Sequence, residues 1–205
     1  GYYLAPVFMF MGVVIFIVVS TVYAFGRELR YATAREWLSA ADDSLVAAVV
    51  GKMLPTTIAM LVNLQLAMLV IFVVMGMECA GSYLELSLGS LIFVIAYQSV
   101  ATAIVTLTSN LRLGLSIGGG YAVMAFTFSG VTFPVIAMYD VAQWFSRLFP
   151  LTYFSNIFVD KAMLGVDISY DIGDYLAMTV FVLLVPLVWR RLSRVVGDSK
   201  YWCRD

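Results

Sequence analysis

The chain has 205 residues, of which 62% are hydrophobic and only 12% charged, with a net charge of -1. Its mean hydropathy is +0.96, whereas soluble domains sit near half apolar and a quarter charged. This composition specifies a membrane domain, gives no electrostatic case for nucleic acid, and, with no histidine, removes the commonest general base and the usual zinc and haem ligand. Cys79 and Cys203 are the only cysteines, too few for a disulfide framework or a metal cage, and the topology below puts them on opposite sides of the bilayer. The sequence opens inside an apolar run without a basic leader, which points to a start partway through a longer protein.

A spanning helix needs about 20 mostly apolar residues. Charge-free runs of this kind lie at 3–25, 53–77, 86–107, 113 to about 134, and 175–189. The second opens "MLPTT", with Pro55 expected in the first helical turn. The last is short, so Asp174 and Arg190 are expected in the headgroup region, with Arg190 snorkelling. The runs are too long for strands and lack barrel alternation. The expected fold is an all-α polytopic bundle of five spans in one transmembrane domain, 1–205.

Lys and Arg orient it. Arg27, Arg30, Arg35, Lys52, Arg112, Arg190, Arg191, Arg194, Lys200 and Arg204 fall on one side, and only Arg147 and Lys161 on the other. Segment 26–52, the turn at Arg112 and the C-terminal tail are therefore cytoplasmic. Loops 78–85 and 135–173 are outside, where Glu78 and Glu85 are expected to be solvated.

Segment 26–44, "GRELRYATAREWLSAADDS", carries four acids and three arginines between two apolar runs. Residues 35–50 can form one helix, with Trp37, Ala41, Leu45 and Val49 on a shared face and Arg35, Glu36, Ser39, Asp42 and Asp43 around the rest. It is either a docking surface for a cytoplasmic partner or a plain juxtamembrane anchor. Segment 135–173 is too apolar for solvent and too broken for a span. Pro134 and Pro150 are expected to end helices. Two short helices fit between and after them, 141–149 with Asp140 as N-cap and 151–164 closed by Gly165. They either dip into the outer leaflet or lie flat on it.

Polar residues inside spans face protein or water. Asn63, Gln65, Gln98 and Thr102, with Ser99 and Thr106 nearby, either line a substrate path or bond helix to helix. Gly114, Gly118, Gly119 and Gly120 permit close packing or a hinge. "VAAVVGKM" lacks the first Gly and the Ser/Thr of a phosphate-binding loop, so ATP is not expected to bind this chain. A serine or metallo-protease site would need histidine, and no paired carboxylates stand out, so no catalytic site, cofactor site or metal site is expected.

The order of signals resembles the type-2 ABC exporter permeases, the membrane subunits of drug, lipid and polysaccharide exporters. Arg27 and Glu28 match that family's Arg-Glu pair and Thr33 its Thr, whereas Arg30 and Ala32 depart from its usual acid and Gly. "GKMLP" (Gly51, Lys52, Pro55), "SGVTFP" (Ser129, Gly130, Pro134) and "PLTYF" (150–154, before Gly165) follow in the family's order. The resemblance implies a cytoplasmic ABC ATPase partner carrying ATP and Mg, a second permease copy or homologue as dimer partner, a further N-terminal part, and residence in the inner (plasma) membrane. It assigns ATPase coupling to Arg27, Glu28, Arg30, Arg35, Glu36, Trp37, Asp42 and Asp43. The outer gate falls to Ser129, Gly130, Pro134, Pro150 and Tyr153. The implied function is ATP-driven export of a substrate the sequence does not name. The alternative is a passive channel or a scaffold without an ATPase.

Overall fold

The computed structural model describes residues 4–77, 79–130 and 135–203. Among them lie nine α-helices and no strand. They are α1 (Leu4–Arg30), α2 (Ala34–Ser39), α3 (Leu45–Leu69), α4 (Tyr83–Thr108), α5 (Leu111–Phe128), α6 (Asp140–Ser146), α7 (Pro150–Val159), α8 (Ile168–Val182) and α9 (Leu184–Gly197). α3 and α7 each end in a widened π-turn, Val70–Val74 and Asp160–Leu164.

Five helical stretches are long and apolar enough to cross a membrane: Met9–Arg30, Leu45–Val74, Tyr83–Thr108, Leu111–Phe128 and Ile168–Gly197. The chain is thus an all-α polytopic bundle of five spans, as its composition dictates. Two span starts lie well before the charge-free runs, for one reason. Where a charge finds a partner inside the fold, the helix runs straight through it. α3 begins at Leu45, capped by Ser44, whose hydroxyl accepts from the Ala47 N–H at 3.4 Å. Lys52 stands within it, paired with Glu28, and Pro55 lies in the helix interior rather than its first turn. The last span starts at Ile168 because Asp171 is paired with Lys161. It is therefore not short, and Asp174 belongs to the helix.

α4 is the hub. About 72% of its apolar window is buried, against 6% for the last span. Gln98, Ser99, Thr102 and Thr106 are all buried along it. α1 crosses α5 through small residues: a methyl group at Gly118 would lie 2.8 Å from a Val18 methyl, and one at Gly114 3.1 Å from Val22. Gly119 and Gly120 meet nothing, so only two of the four glycines serve close packing.

The outer segment divides in two. α7 is buried, with Phe154 stacked on Phe93 of α4 (centroids 4.3 Å) and edge-on to Phe10 of α1 (5.2 Å). α7 thus packs into the bundle rather than lying apart from it. α6 instead turns Val141 and Trp144 outward, as an interfacial helix does. Two local expectations are corrected. Tyr139, not Asp140, occupies the α6 cap position, and Asp140 is its first residue. Pro150 opens α7 rather than ending a helix, since its missing N–H is free in a first turn. Pro134 and Glu78 lie outside the described residues.

Candidate functional site

The end of the bundle that carries segment 26–44 is built on the last turns of α1. Arg27 and Arg30 sit where the helix dipole favours cations. The chain then reverses through Tyr31 and Ala32, the latter at φ +57°, and the Thr33 N–H returns to the Glu28 carbonyl at 3.0 Å. The Glu28 carboxylate accepts from the Thr33 hydroxyl and from the Lys52 ammonium. One side chain therefore ties the end of α1, the start of α2 and the first turns of α3.

α2 is six residues long, not the continuous helix expected over 35–50. Asp42 and Asp43 adopt positive φ, +51° and +58°, and Ser44 caps α3 afresh, so Ala41 falls in the turn. Short polar side chains tolerate that left-handed turn better than bulky ones do. Trp37 is turned inward. Its ring stands edge-on to Phe25 at 5.7 Å, with the Lys52 ammonium 4.6 Å from its centroid. Beneath it lie Leu29, Val105, Leu192, Val195 and Val196. Arg35, Glu36, Asp42 and Asp43 remain exposed, as does Arg27. A notch of about 420 Å³ opens beside them, lined by Tyr23, Arg27, Glu28, Tyr31 and Thr33. Arg30 lies 5.8 Å from the Tyr31 ring.

The last helix closes this end. Arg191 donates from Nε to the Thr106 carbonyl (3.1 Å) and from Nη2 to that of Leu107 (2.7 Å), satisfying the orphan carbonyls where α4 stops. The Cys203 N–H reaches the Leu29 carbonyl at 3.0 Å, and the Trp202 indole donates to Val195 at 3.1 Å. α2 thus touches α1, α3 and α9. Sequence reading passed over Arg191 and Trp202 as tail residues. Arg191 lies on amphipathic α9, whereas Trp202 stands beyond its end, after the turn 199–201.

At the other end, Ser129 is buried and Gly130 adopts φ +86°. The Ser129 carbonyl accepts from Ser155 Oγ of α7 at 3.4 Å. Tyr153 donates to the Arg147 carbonyl (3.0 Å), and Tyr121 of α5 to that of Leu148 (2.7 Å). Pro150, buried, starts α7 against this frame. Glu85 is not simply solvated: its carboxylate pairs at 2.7 Å with Lys161, a side chain with no exposed surface. Asp171 is the second partner of that lysine. The sequence clue was a lone lysine in an apolar stretch on the acid-rich side.

The polar span residues do not converge. The Gln98 amide donates to the Met53 carbonyl (3.2 Å) and accepts from Thr57 (2.8 Å), binding α4 to α3 beside Pro55. The Thr102 hydroxyl bonds the Gln98 carbonyl at 2.8 Å. Gln65 accepts from Tyr83 and Ser87. Asn63 bonds Ala59 at 3.0 Å and faces a groove of about 330 Å³ between α1 and α3, with Phe16, Leu66 and Val70. Among the described residues no three His, Cys, Asp or Glu side chains are grouped as metal ligands.

Comparison with protein families finds one family model, the ABC-2 family transporter protein, matching residues 1–189. Comparison with curated proteins and with solved structures finds no match. The chain belongs to the ABC-2 transporter family: it is a multi-pass membrane permease, a transport component of an ABC transporter.

Proposed function

We propose that this chain is the membrane-spanning subunit of an ATP-driven exporter, working as a dimer of permeases on a separate cytoplasmic ATPase that binds ATP and Mg, in the inner (plasma) membrane. The observation that carries this reading is the clamp at Glu28. An exposed charged segment is no use as a lever unless it is fixed to the spans, and here it is fixed to two of them. Arg35, Glu36, Asp42 and Asp43 present charge to a partner. Glu28 joins the start of that segment to α1 and to Lys52 of α3, and Trp37 seats it on the floor formed by α1, α4 and α9. A push on α2 is carried by these contacts into the spans, and the outer segment 130–165 opens in response.

The residues named for coupling then divide by role. Arg35, Glu36, Asp42 and Asp43 dock, Glu28 and Trp37 transmit, Arg27 borders the notch beside them, and Arg30 stands against Tyr31. The test is gentle solubilisation of the full-length protein from its native host and identification of what copurifies. A stoichiometric ATPase subunit is expected. Charge reversal at Arg35 and Glu36 should remove it. Glu28→Ala should keep it while export falls relative to ATP hydrolysed. If no ATPase copurifies under several detergents, the segment is an anchor and the chain a channel or scaffold.

A further inference from the structure

We propose that Lys161 is the positioning residue of the outer gate: clasped between Glu85 and Asp171, it fastens the re-entrant helix to the third and fifth spans, and the outer end opens by releasing it. This rests on the export reading above. Lys161 lies on the π-turn that ends α7 and has no exposed surface. Its ammonium meets Glu85 Oε2 at 2.7 Å, Asp171 Oδ2 at 3.0 Å and the Val166 carbonyl at 2.7 Å. The ammonium thus donates one directed hydrogen bond, to Val166, and balances its charge against two carboxylates. These partners come from α4, from α8 and from the turn at Gly165, so three separate segments share one cation.

The backbone repeats the link. The Gly81 N–H reaches the Lys161 carbonyl at 2.9 Å and the Ala80 N–H that of Ala162 at 3.3 Å. The Tyr175 hydroxyl of α8 donates to the Glu85 carbonyl at 2.8 Å. Gly81 is required for this approach, since a methyl group there would lie 2.8 Å from the Lys161 carbonyl oxygen. Asp171 is 1% exposed, and neither of its oxygens has a well-directed hydrogen bond. Its charge therefore depends on Lys161.

An ion clasp suits a gate better than apolar packing does. Separating apolar faces exposes them to water with nothing gained. Separating ions lets water solvate both, and that hydration offsets the lost attraction. The closed and the hydrated states then lie close in free energy and the element is bistable. Asp160, beside Asp171, leaves three acids against one cation, which further favours hydration once water enters.

Cys79 reports on the clasp. It is a free, half-buried thiol one residue from the strand of loop that bonds Ala162. With Cys203→Ser removing the second thiol, a membrane-impermeant maleimide applied from outside reads how often the 79–82 loop leaves Lys161. Lys161→Met alone strands Asp171 and can prevent folding. Lys161→Met with Asp171→Asn removes both buried charges, and Glu85, partly exposed, rehydrates. This double variant should fold and label about tenfold faster than the parent, the factor set by a local opening made easier by one broken clasp. Lys161→Arg with both acids intact should label near the parent rate. Labelling of a well-folded double variant at the parent rate overturns the proposal. In the complex with its ATPase, ATP should speed Cys79 labelling in the parent and have no effect in the double variant. A parent that does not respond to ATP removes the gate role. If no ATPase copurifies, the export reading fails, while the labelling rates still decide whether the clasp holds the loop.

Discussion

The two ends of the bundle each hold a lysine against carboxylates, and they are built differently. Lys52 and Glu28 keep 15% and 18% of their side-chain surface in solvent. Lys161 keeps none and its partner Asp171 1%, while its other partner Glu85 keeps 27%. A partly exposed pair gives less stability than a buried one, since water competes for both charges. Its value is directional, joining three elements in a geometry that can yield by degrees. A dry clasp is different. Leaving one partner behind is costly because an uncompensated charge stays buried. Under the proposed function, the Lys52 end then suits transmission of movement, and the Lys161 end suits holding one position or leaving it.

The largest expected effect follows from this contrast. Lys161→Met should cost about 3–5 kcal/mol, read as a much lower melting temperature in detergent or loss of the monodisperse protein. The paired Lys161→Met/Asp171→Asn variant should recover most of that loss. Equal damage in single and double variants would mean that Lys161 fills space rather than balancing charge. Next comes Gly165→Ala. Gly165 closes the π-turn at φ +64°, and a methyl group there would lie 2.9 Å from the Ala80 carbonyl oxygen. A side chain in the left-handed region costs about 1–3 kcal/mol when the fold holds it there. Cys79 labelling should rise with it, because the same contact joins the two loops.

How much of this was legible in the sequence depends on how local its cause is. Gly165 as a helix stop and the five apolar runs are set by neighbours in the chain, and each was readable there. The pairings were not. Glu28 with Lys52, and Lys161 with Glu85 and Asp171, join residues that only the fold brings together. A rule that ends spans at charges therefore cut α3 and α8 short and left Glu85 in solvent. Trp37 went to the right helix, yet its inward turn depends on Phe25 and on α9. The break after Ser39 depends on Asp42 and Asp43 accepting positive φ, which hydrophobic spacing does not encode.

A smaller effect on stability is expected at the Lys52 end. Lys52→Met should cost about 1 kcal/mol or less, and raising salt should shrink the difference from the parent. Its functional effect should be larger than its stability effect, read as ATP hydrolysed per substrate exported by the intact complex. If Lys52→Met lowers the melting temperature as far as Lys161→Met does, the two ends are not built differently, and the division between a yielding clamp and a dry clasp is lost.

The smallest effect separates the ends by pH. Burial and the neighbouring Asp171 raise the pKa of Asp160. Burial alone would lower that of Lys161, but the facing carboxylates of Glu85 and Asp171 outweigh it and hold the ammonium above its ordinary value, so it stays charged throughout the acid range. The groups facing Asp160 are Lys161 beside it, Asp171 and Asp174 from α8, and through the lysine Glu85 from α4. An acid with a raised folded pKa binds its proton more tightly when folded. Its contribution is complete below the ordinary carboxylate value and is lost as pH rises through the raised one. A proton on Asp160 also supplies the donor that the Asp171 oxygens lack. The outer end should therefore tighten as pH falls from neutral toward the carboxylate range, with slower Cys79 labelling after correction for thiol ionisation. Asp160→Asn, which supplies a donor at every pH, should flatten that dependence. A slope unchanged in Asp160→Asn would assign it to another acid and leave the cytoplasmic and outer ends alike in their response to protons.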